Sequence, residues 1–276
     1  MYCFFLICAN FCDFLFVFFA YLHIFYYFCS VKVQIMAIGN VTPDSFYAAS
    51  RLADTDRVLT WARTAVADGA DILDIGGCST RPGSTPASEE EEWTRVAPAL
   101  ETIRKDMPDM PLSLDTFRPE IARRALAQFG SMIINDISGG NEAMYDVVRA
   151  FEAPYIWTLR GDLALPKKRP DVGELEGLIL DPGFGFIGST EGDYACMRNM
   201  KQLQEYGKPI LVGVSRKSMV WRPLGLTPET CLSATQALQL YAIEHGATII
   251  RTHDVKETKQ TIELCNSLLL TSDSKI

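Results

Sequence analysis

The sequence predicts an α/β fold, a closed (β/α)8 or TIM barrel, on the basis of two observations. From residue 33 onward, eight short apolar runs alternate with charged or amphipathic stretches of helical length. The runs are apolar throughout, which is typical of parallel strands that are buried on both faces of a sheet. Eight such units match a barrel, and the alternative is an open doubly wound sheet.

In chain order, the eight runs are VQIMAIGN, ADILDIGG, MPLSLDTF, SMIINDIS, APYIWTLR, GLILDPGF, PILVGVSRK and ATIIRTHD. The stretches between them contain helix start signals. Ser88 and Glu91 have the spacing of a capping box, and the all-Glu range 89–92 fits a solvated first turn that complements the helix dipole. The range 227–229, Thr-Pro-Glu, combines a cap with proline at the first helical position, and Asp254 can cap the last helix.

The fifth unit is irregular. Only residues 160–176 separate the fifth and sixth runs, and this stretch contains two prolines and no apolar repeat of helical period. A parallel crossover needs a dozen or more residues and usually includes a helix. We therefore expect a shortened or missing helix between strands 5 and 6.

Composition restricts the class of protein. No linker-like, repetitive or low-complexity stretch interrupts residues 33–276, which predicts a single domain over that range. The formal net charge of −8 argues against a general nucleic-acid binder, so any anion site must be local. Outside the first thirty residues the cysteines are widely spaced without a CxxC pair, which indicates neither zinc nor disulfides and fits a reducing cytoplasm.

Residues 1–32 form a separate hydrophobic segment. The first thirty residues hold 9 of the 15 Phe, one carboxylate, Asp13, and no Lys or Arg. Three interpretations are open: upstream sequence translated ahead of a true start near Met36, a membrane anchor of sufficient length, or a native part of the fold. Membrane contact is expected only if residues 1–30 are truly translated. The segment lacks the basic region and cleavage site of a signal peptide.

Each apolar run ends on polar residues, which a barrel would gather at the face where such barrels do their chemistry. Taken singly, such residues are often helix caps, turn residues or solvated charges. Their placement on one face favours a functional interpretation. The run ends are Asn40, Asp74, Asp115, Asn135, Thr158 with Arg160, Asp181, Ser215 with Lys217, and Arg251 with His253.

These residues divide into two chemical groups. Cations and hydroxyls suit a phosphate or diphosphate, and here they are Ser79, Thr80, Arg81, Ser215, Lys217, Ser218, Arg251 and His253. Carboxylates and an amide suit a heterocycle rich in N–H donors, such as an aminopyrimidinone, and here they are Asp115, Asn135 and Asp181. Phe46, Phe184 and Phe186 could supply apolar walls. Together the two groups describe a site for a heteroaromatic diphosphate.

In combination and in this order, seven motifs between about residues 35 and 268 resemble dihydropteroate synthase. They are NVTPDSF (40–46), DIGGCSTRPG (74–83), SLDT (113–116), NDISGG (135–140), DPGFGF (181–186), VGVSRKS (212–218) and RTHDV (251–255). The resemblance implies a barrel that condenses 6-hydroxymethyl-7,8-dihydropterin diphosphate with p-aminobenzoate. The implied products are 7,8-dihydropteroate and diphosphate, made in folate biosynthesis, with sulfonamides as inhibitors that mimic p-aminobenzoate. A homodimer is also implied.

The resemblance also implies roles for individual residues. The pterin would be held by Asp115, Asn135, Asp181 and Lys217. The diphosphate would be handled by Asn40, Thr80, Arg81, Arg251 and His253, with Asn40 also placing Mg²⁺. The p-aminobenzoate site would be formed by Phe46, Pro82, Phe186, Lys217 and Ser218. The catalytic set is then Asn40, Thr80, Arg81, Lys217, Arg251 and His253.

The chain departs from the family pattern after the fifth strand, where a Met-His pair and a long helical segment are usual and WTLRGD stands instead. We therefore expect the pterin pocket to lose one apolar wall. Two alternatives to an active synthase follow. One is a pterin-binding protein without synthase activity, and the other is a methyltransferase domain that serves a corrinoid partner. NVTPDSF and SRKS speak against the methyltransferase, because methyl transfer involves neither diphosphate nor p-aminobenzoate.

Overall fold

The computed structural model describes residues 33–42, 51–78 and 87–270. Residues Val33–Glu263 form one compact unit, built around an eight-stranded parallel sheet. The strands are β1 Gln34–Asn40, β2 Ile72–Gly76, β3 Leu112–Asp115, β4 Ile133–Asp136, β5 Tyr155–Thr158, β6 Leu178–Asp181, β7 Leu211–Val212 and β8 Ile249–Thr252. Each coincides with one of the predicted apolar runs.

The sheet closes on itself. Its strand order is β6-β5-β4-β3-β2-β1-β8-β7, and the two end strands meet through a parallel bridge between Leu180 and Ile210. The Leu180 amide also donates to the Pro209 carbonyl over 2.9 Å. The predicted (β/α)8 barrel is therefore confirmed, and the open doubly wound sheet is excluded. This contact is a single bridge, whereas β7 pairs with β8 at two positions.

Helices follow the strands in alternation. They are α1 Arg51–Asp68, α2 Glu89–Asp106, α3 Pro119–Phe129, α4 Glu142–Ala150, α5 Leu165–Lys168, α6 Pro170–Gly173, α7 Thr190–Asn199, α8 Ser218–Trp221, α9 Leu232–Glu244 and α10 Val255–Leu270. Short 3₁₀ helices follow α7 and α8 at Met200–Tyr206 and Arg222–Leu224. No helix among the described residues combines the length and the apolar character needed to cross a membrane.

Two of the predicted helix starts are confirmed. Ser88 caps α2 in a complete capping box, since its side chain accepts from the Glu91 amide and Glu91 accepts from the Ser88 amide. Asp254 directly precedes α10, and its carbonyl accepts from the Thr258 amide over 3.0 Å.

The predicted start at 227–229 is wrong. The Thr230 amide donates to the Thr227 carbonyl, and the Thr230 hydroxyl accepts from the Thr227 amide, so these residues form a turn. Helix α9 begins only at Leu232. A proline after a capping residue fits a tight turn as well as a first helical turn, and the local threonine bonds decide for the turn.

The expectation that the 89–92 range is fully solvated is wrong for its last member. Glu92 is completely buried and forms an ion pair with Arg118, which also donates to the Ala87 carbonyl. The reason is helical periodicity: Glu92 shares the inner face of α2 with Val96, which is also fully buried. The other three glutamates of the range are exposed.

The fifth unit is shortened, as predicted. Between β5 and β6 the chain forms only the single-turn helices α5 and α6, of four residues each. A cavity of about 290 Å³ lies beside them, over the outward side chains of Leu178 and Leu180. The shortening therefore affects the outer helix layer, while β5 and β6 keep their parallel pairing from Tyr155–Leu178 to Thr158–Asp181.

The floor of the barrel is apolar. Met36, Ile72, Ile156, Ile179, Leu211 and Ile249 form one buried cluster, with Ile133 packed against it. Successive residues of a strand point to opposite faces, so the residues two positions further along these strands also point inward. They belong to the carboxyl ends of the strands, where the polar residues of the sequence stand.

Candidate active site

The carboxyl ends of the strands bring the predicted polar residues together. Strand register places Asp115 beside Asn135 and Thr158 beside Asp181. Asn40 is the last residue of β1 and lies opposite Gly76. A Cβ atom at Gly76 would lie only 3.3 Å from the Asp115 Cβ and 3.6 Å from the Asn40 amide oxygen. Glycine at this position therefore allows the Asn40 and Asp115 side chains to approach each other.

Arg251 connects the predicted phosphate-binding cations with the predicted carboxylates of the site. Its Nε donates to Asp74 Oδ2 over 2.7 Å, and its Nη2 lies 2.6 Å from the same oxygen and 2.7 Å from Asp115 Oδ2. The pKa of Arg251 is raised, because the two carboxylates outweigh the opposing effect of burial. Sequence reasoning placed Arg251 with the phosphate-binding cations, apart from the carboxylates. In the structure the guanidinium contacts both Asp74 and Asp115.

Asp74 is the residue that sequence reasoning left without a role. It is 1 % exposed, and besides Arg251 it receives the Asn135 side-chain amide, whose Nδ2 lies 3.4 Å from each carboxylate oxygen. Asp74 therefore holds a guanidinium and an amide in place at once. In the sequence, the position of Asp74 at a strand end, two residues before the pair Gly76-Gly77, could have indicated a role in the site.

Burial raises the pKa of the Asp115 carboxyl to about 7, although the Arg251 guanidinium opposes this shift. Burial also raises the pKa of Asp181, against the opposing charge of Lys217. One Asp181 oxygen accepts from the Gly183 amide over 2.8 Å. Perturbed carboxyl groups of this kind are characteristic of functional sites.

Lys217 reaches this cluster from the loop after β7. Its ammonium donates to the Phe184 carbonyl and lies 4.9 Å from the centre of the Phe186 ring. Burial lowers its pKa to about 8, and the Asp181 carboxylate opposes the shift. The Phe184 ring is fully buried, whereas Phe186 is half-buried. Of these two rings, Phe186 is therefore the one placed to face a ligand.

The residue before Lys217 sets its direction. Arg216 has a left-handed backbone (φ 57°), and its side chain pairs with Asp254 over 2.6 Å. Such a conformation is costly for a residue with a side chain and persists where surrounding contacts enforce it. The turn points Arg216 outward to Asp254 and Lys217 inward. A charged residue at a strand end is often a solvated charge, but Lys217 is instead directed into the site.

His253 lies at the rim of the site. Its Nδ1 lies 3.1 Å from the Ser215 hydroxyl, which also accepts from the His253 amide over 3.2 Å. The imidazole is exposed and Ser215 is buried. Ser218 is half-buried and begins α8, directly after Lys217. His253 and Ser218 therefore both lie at the carboxyl-terminal face of the barrel, as predicted.

Hydrogen bonds from β5 hold the residues that follow Asn135. The next residue, Asp136, points outward and accepts from the Tyr155 hydroxyl over 3.0 Å and from the Ser138 amide over 2.8 Å. The indole of Trp157 donates to the Gly139 carbonyl over 2.7 Å. Two outward-facing aromatic residues of β5 thus hold the loop that follows Asn135. Sequence reasoning counted them only as strand residues.

Comparison with known proteins decides the family. The model of the family described as pterin binding enzyme matches residues 36–165 and 167–253. The chain belongs to the pterin binding enzyme family. It is 35 % identical over 257 residues to dihydropteroate synthase of Bacillus subtilis, covering 86 % of this chain and 89 % of that protein.

Solved structures of the family agree with the fold. Dihydropteroate synthase of Clostridium difficile, determined in the presence of pteroic acid, superposes with a TM-score of 0.79 at 30 % identity and covers 86 % of this chain and 97 % of its own. The Xanthomonas albilineans enzyme with 4-aminobenzoic acid superposes with a TM-score of 0.77 at 32 % identity, covering 86 % of this chain and 93 % of its own.

Some predicted site residues lie outside the described part of the chain. They are Phe46, Ser79, Thr80, Arg81 and Pro82. Their roles stay predictions, as does the division of the chain at residue 32. The predicted site residues that the structure describes are Asn40, Asp115, Asn135, Asp181, Phe186, Lys217, Ser218, Arg251 and His253.

Proposed function

We propose that the chain is a dihydropteroate synthase, which joins 6-hydroxymethyl-7,8-dihydropterin diphosphate to p-aminobenzoate and releases diphosphate in folate biosynthesis. One observation carries the proposal: Arg251 contacts Asp115 directly, beside Asn135 and opposite Lys217, inside a barrel of the pterin binding enzyme family. Hydrogen-bond acceptors that suit a heterocycle and cations that suit an anion thus lie together at the carboxyl ends of the strands. Relatives that carry the name dihydropteroate synthase support the same reaction.

The carboxylates and the amide are suited to hold the pterin ring. Asp115 and Asp181 can accept paired hydrogen bonds from ring and amino N–H groups, and Asn135 offers both a donor and an acceptor. The charged form of Lys217 adds a donor at the edge of the ring. Burial strengthens each of these bonds, because little water competes for the polar groups.

Arg251 and His253 are suited to hold the diphosphate. Within the described residues, Arg251 uses Nε and Nη2 for Asp74 and Asp115, so these two carboxylates leave its Nη1 unused. We assign Nη1 to a diphosphate oxygen, with His253 beside it at the rim. Thr80 and Arg81 are proposed to complete this half of the site.

Bond cleavage follows from these roles. The carbon–oxygen bond between the pterin methylene and the diphosphate breaks, the diphosphate takes the electron pair, and the pterin ring delocalises the cation left on the methylene. The amine of p-aminobenzoate then attacks that carbon and loses a proton. The protein's contribution is to orient both reactants and to stabilise the negative charge that grows on the diphosphate.

Magnesium is proposed as the cofactor, with Asn40 as its protein ligand. No group of three or more His, Cys, Asp or Glu among the described residues could hold a metal ion. Mg²⁺ keeps several waters and commonly uses one or two protein oxygens together with substrate phosphates, so the side-chain amide oxygen of Asn40 suits it. When bound there, Mg²⁺ would neutralise charge on the diphosphate.

The second substrate is proposed to bind beside Lys217. The Phe186 ring offers an apolar surface for the aromatic ring of p-aminobenzoate, and Lys217 and Ser218 offer donors for its carboxylate. Phe46 and Pro82 are the further residues assigned to this site. A homodimer in the cytoplasm is proposed from the family resemblance and the cysteine pattern.

The test is product formation by the full-length chain, supplied with the pterin diphosphate, Mg²⁺ and p-aminobenzoate. We expect dihydropteroate and diphosphate in equal amounts, and competition by a sulfonamide against p-aminobenzoate. Asp115→Ala should abolish binding of the pterin diphosphate. Tight binding of that substrate by the wild type without any product would instead identify a pterin-binding protein that lacks synthase activity.

A further inference from the structure

The described part of the barrel contains unpaired polar atoms at a defined depth. Ser113 Oγ, Asn135 Oδ1 and Thr158 Oγ1 are buried without a hydrogen-bond partner in the protein. The three residues stand on the consecutive strands β3, β4 and β5. A buried hydroxyl or amide oxygen without a partner is destabilising, and native proteins keep few of them. Each of these three atoms therefore calls for an explanation.

Strand geometry shows that Thr158 and Asn135 face the interior of the barrel. Ile156 belongs to the apolar floor and Ile133 packs against it, and each stands two residues before one of the unpaired groups. Residues two apart on a strand point to the same face. Thr158 is 0 % exposed and Asn135 is 1 % exposed, so both side chains are buried.

The neighbours of Thr158 belong to the proposed pterin site. In register it stands beside Asp181, and the Asp181 carbonyl accepts from the next amide, that of Leu159, over 2.8 Å. Its methyl carbon would lie 2.9 Å from a Cβ atom at Gly183, so the methyl branch packs toward the DPGFGF loop. The hydroxyl is on the other branch of the same carbon. The side chain thus places one apolar and one polar group beside Asp181.

We propose that the Thr158 hydroxyl is a specificity-determining residue of the pterin site, forming a hydrogen bond with a polar atom on the edge of the bound heterocycle. This inference rests on the proposed function. A hydroxyl can both donate and accept, so it can pair with a ring nitrogen, a carbonyl or an amino group. This polar contact would come from β5. For that strand the sequence predicted only that the pterin pocket loses one apolar wall.

Ser113 is less suited to this role. It stands two residues before Asp115 on β3 and pairs in register with Asp74 and with Ile133, which packs against the apolar floor. Its hydroxyl therefore lies below the carboxylates that would meet the ring. Thr158, in contrast, is the last residue of β5 and stands level with Asp181.

The test compares two substitutions at this residue in the full-length protein. Thr158→Val keeps the shape and removes the hydroxyl, whereas Thr158→Ser keeps the hydroxyl and removes the methyl group. The dissociation constant of 6-hydroxymethyl-7,8-dihydropterin diphosphate is measured by calorimetry with Mg²⁺, and the melting temperature by circular dichroism. We expect Thr158→Val to weaken binding about tenfold relative to Thr158→Ser, as the loss of one buried hydrogen bond to the ligand predicts.

Stability supplies a second, independent measurement. Because the hydroxyl has no partner in the protein, Thr158→Val should leave the melting temperature unchanged or raise it. Thr258→Val is the matched control, since Thr258 is also buried but its hydroxyl bonds to Gln239 Oε1 over 3.2 Å and to Thr252 Oγ1 over 3.1 Å. The control should lower the melting temperature and leave ligand binding within twofold of the wild type.

The outcomes separate the inference from the proposed function. Equal binding by the Val and Ser variants, within twofold, would overturn the role of the hydroxyl while leaving the synthase intact. Binding about tenfold weaker in Thr158→Val than in Thr158→Ser supports the role. A clearly lowered melting temperature of Thr158→Val, as in the Thr258→Val control, would show that the hydroxyl bonds within the protein and would overturn it. No binding by the wild type would remove the proposed function, and the inference with it.

Discussion

Two layers inside the barrel have opposite chemistry although the same strands build them. The lower layer contains Met36, Ile72, Ile156, Ile179, Leu211 and Ile249 and is entirely apolar. Two residues further along four of these strands, the upper layer contains Asp74, Thr158, Asp181 and Arg251. One step of the strand repeat therefore separates a core that stabilises the fold from a site whose groups are costly to bury.

The upper layer offsets part of its cost through pairing. Arg251 forms ion pairs with Asp74 and Asp115, and Lys217 lies near Asp181. The remaining unpaired atoms, on Asn135 and Thr158, are those proposed to meet a ligand. Successive inward positions of the same strands thus form an apolar core and a polar site. Substitutions in the two layers should therefore affect the free energy of unfolding and ligand binding differently.

The largest effect is expected from Asp74→Ala, in the upper layer. Removing this carboxylate leaves the buried Arg251 with one counterion and releases Asn135, which should lower the free energy of unfolding by about 4 kcal/mol. Denaturant unfolding measures the loss. Asp171→Ala is the control, because its ion pair with Arg169 is exposed and should contribute less than about 1 kcal/mol. A loss no larger than that of the control would show that the buried pair is not stabilising.

Ile156→Ala tests the lower layer. Truncating this fully buried side chain should lower the free energy of unfolding by about 3 kcal/mol through lost burial and a residual cavity. Binding of the pterin diphosphate by the folded variant should stay within about twofold, since the side chain lies below the site. Leu264→Ala, at a residue that is 59 % exposed, should cost less than about 0.5 kcal/mol. A strong loss of affinity in Ile156→Ala would mean that the layers are coupled.

The dependence on pH should reveal the charged groups of the upper layer. Asp115, with a pKa of about 7, can accept paired N–H bonds on both oxygens only as the carboxylate. Lys217, with a pKa of about 8, donates as a cation only in its protonated form. The value of kcat/KM for the pterin diphosphate should therefore fall by about tenfold per pH unit below pH 7 and above pH 8.

Lys217→Arg is the control for the alkaline limb. Arginine stays protonated throughout the accessible range, so the decline above pH 8 should move upward or disappear while the acid limb remains. An unchanged alkaline limb in this variant would assign that limb to another group.

The smallest effect is expected from Trp157→Phe, which removes the donor to the Gly139 carbonyl behind the upper layer. The lost bond and the space left by the smaller ring should together cost about 2 kcal/mol of stability, since Trp157 is fully buried. Because the loop follows Asn135, KM for the pterin diphosphate should rise about threefold with little change in kcat. Trp93→Phe is the matched control, since Trp93 lies on α2 and stacks on Phe129. Equal KM values in both variants would show that the loop holds its position without the indole.

Local sequence patterns were sufficient to predict some parts of the fold and not others. The positions of the strands, the polar strand ends and the shortened fifth unit were predictable because each depends on local patterns: apolar runs, a two-residue repeat and too few residues for a helix. The burial of Glu92 and the turn at 227–229 were not, because they depend on a partner at Arg118 and on competing threonine bonds.

By itself, the sequence determined which residues face the interior at the carboxyl ends of the strands, because alternation along a strand is a property of the backbone. Only the tertiary structure decided which of them touch. Arg251 lies 177 residues from Asp74 and 136 residues from Asp115 along the chain. Their contact exists because β8 pairs with β1, which pairs with β2, which pairs with β3. Pairing of the first strand with the last is not encoded in any local pattern.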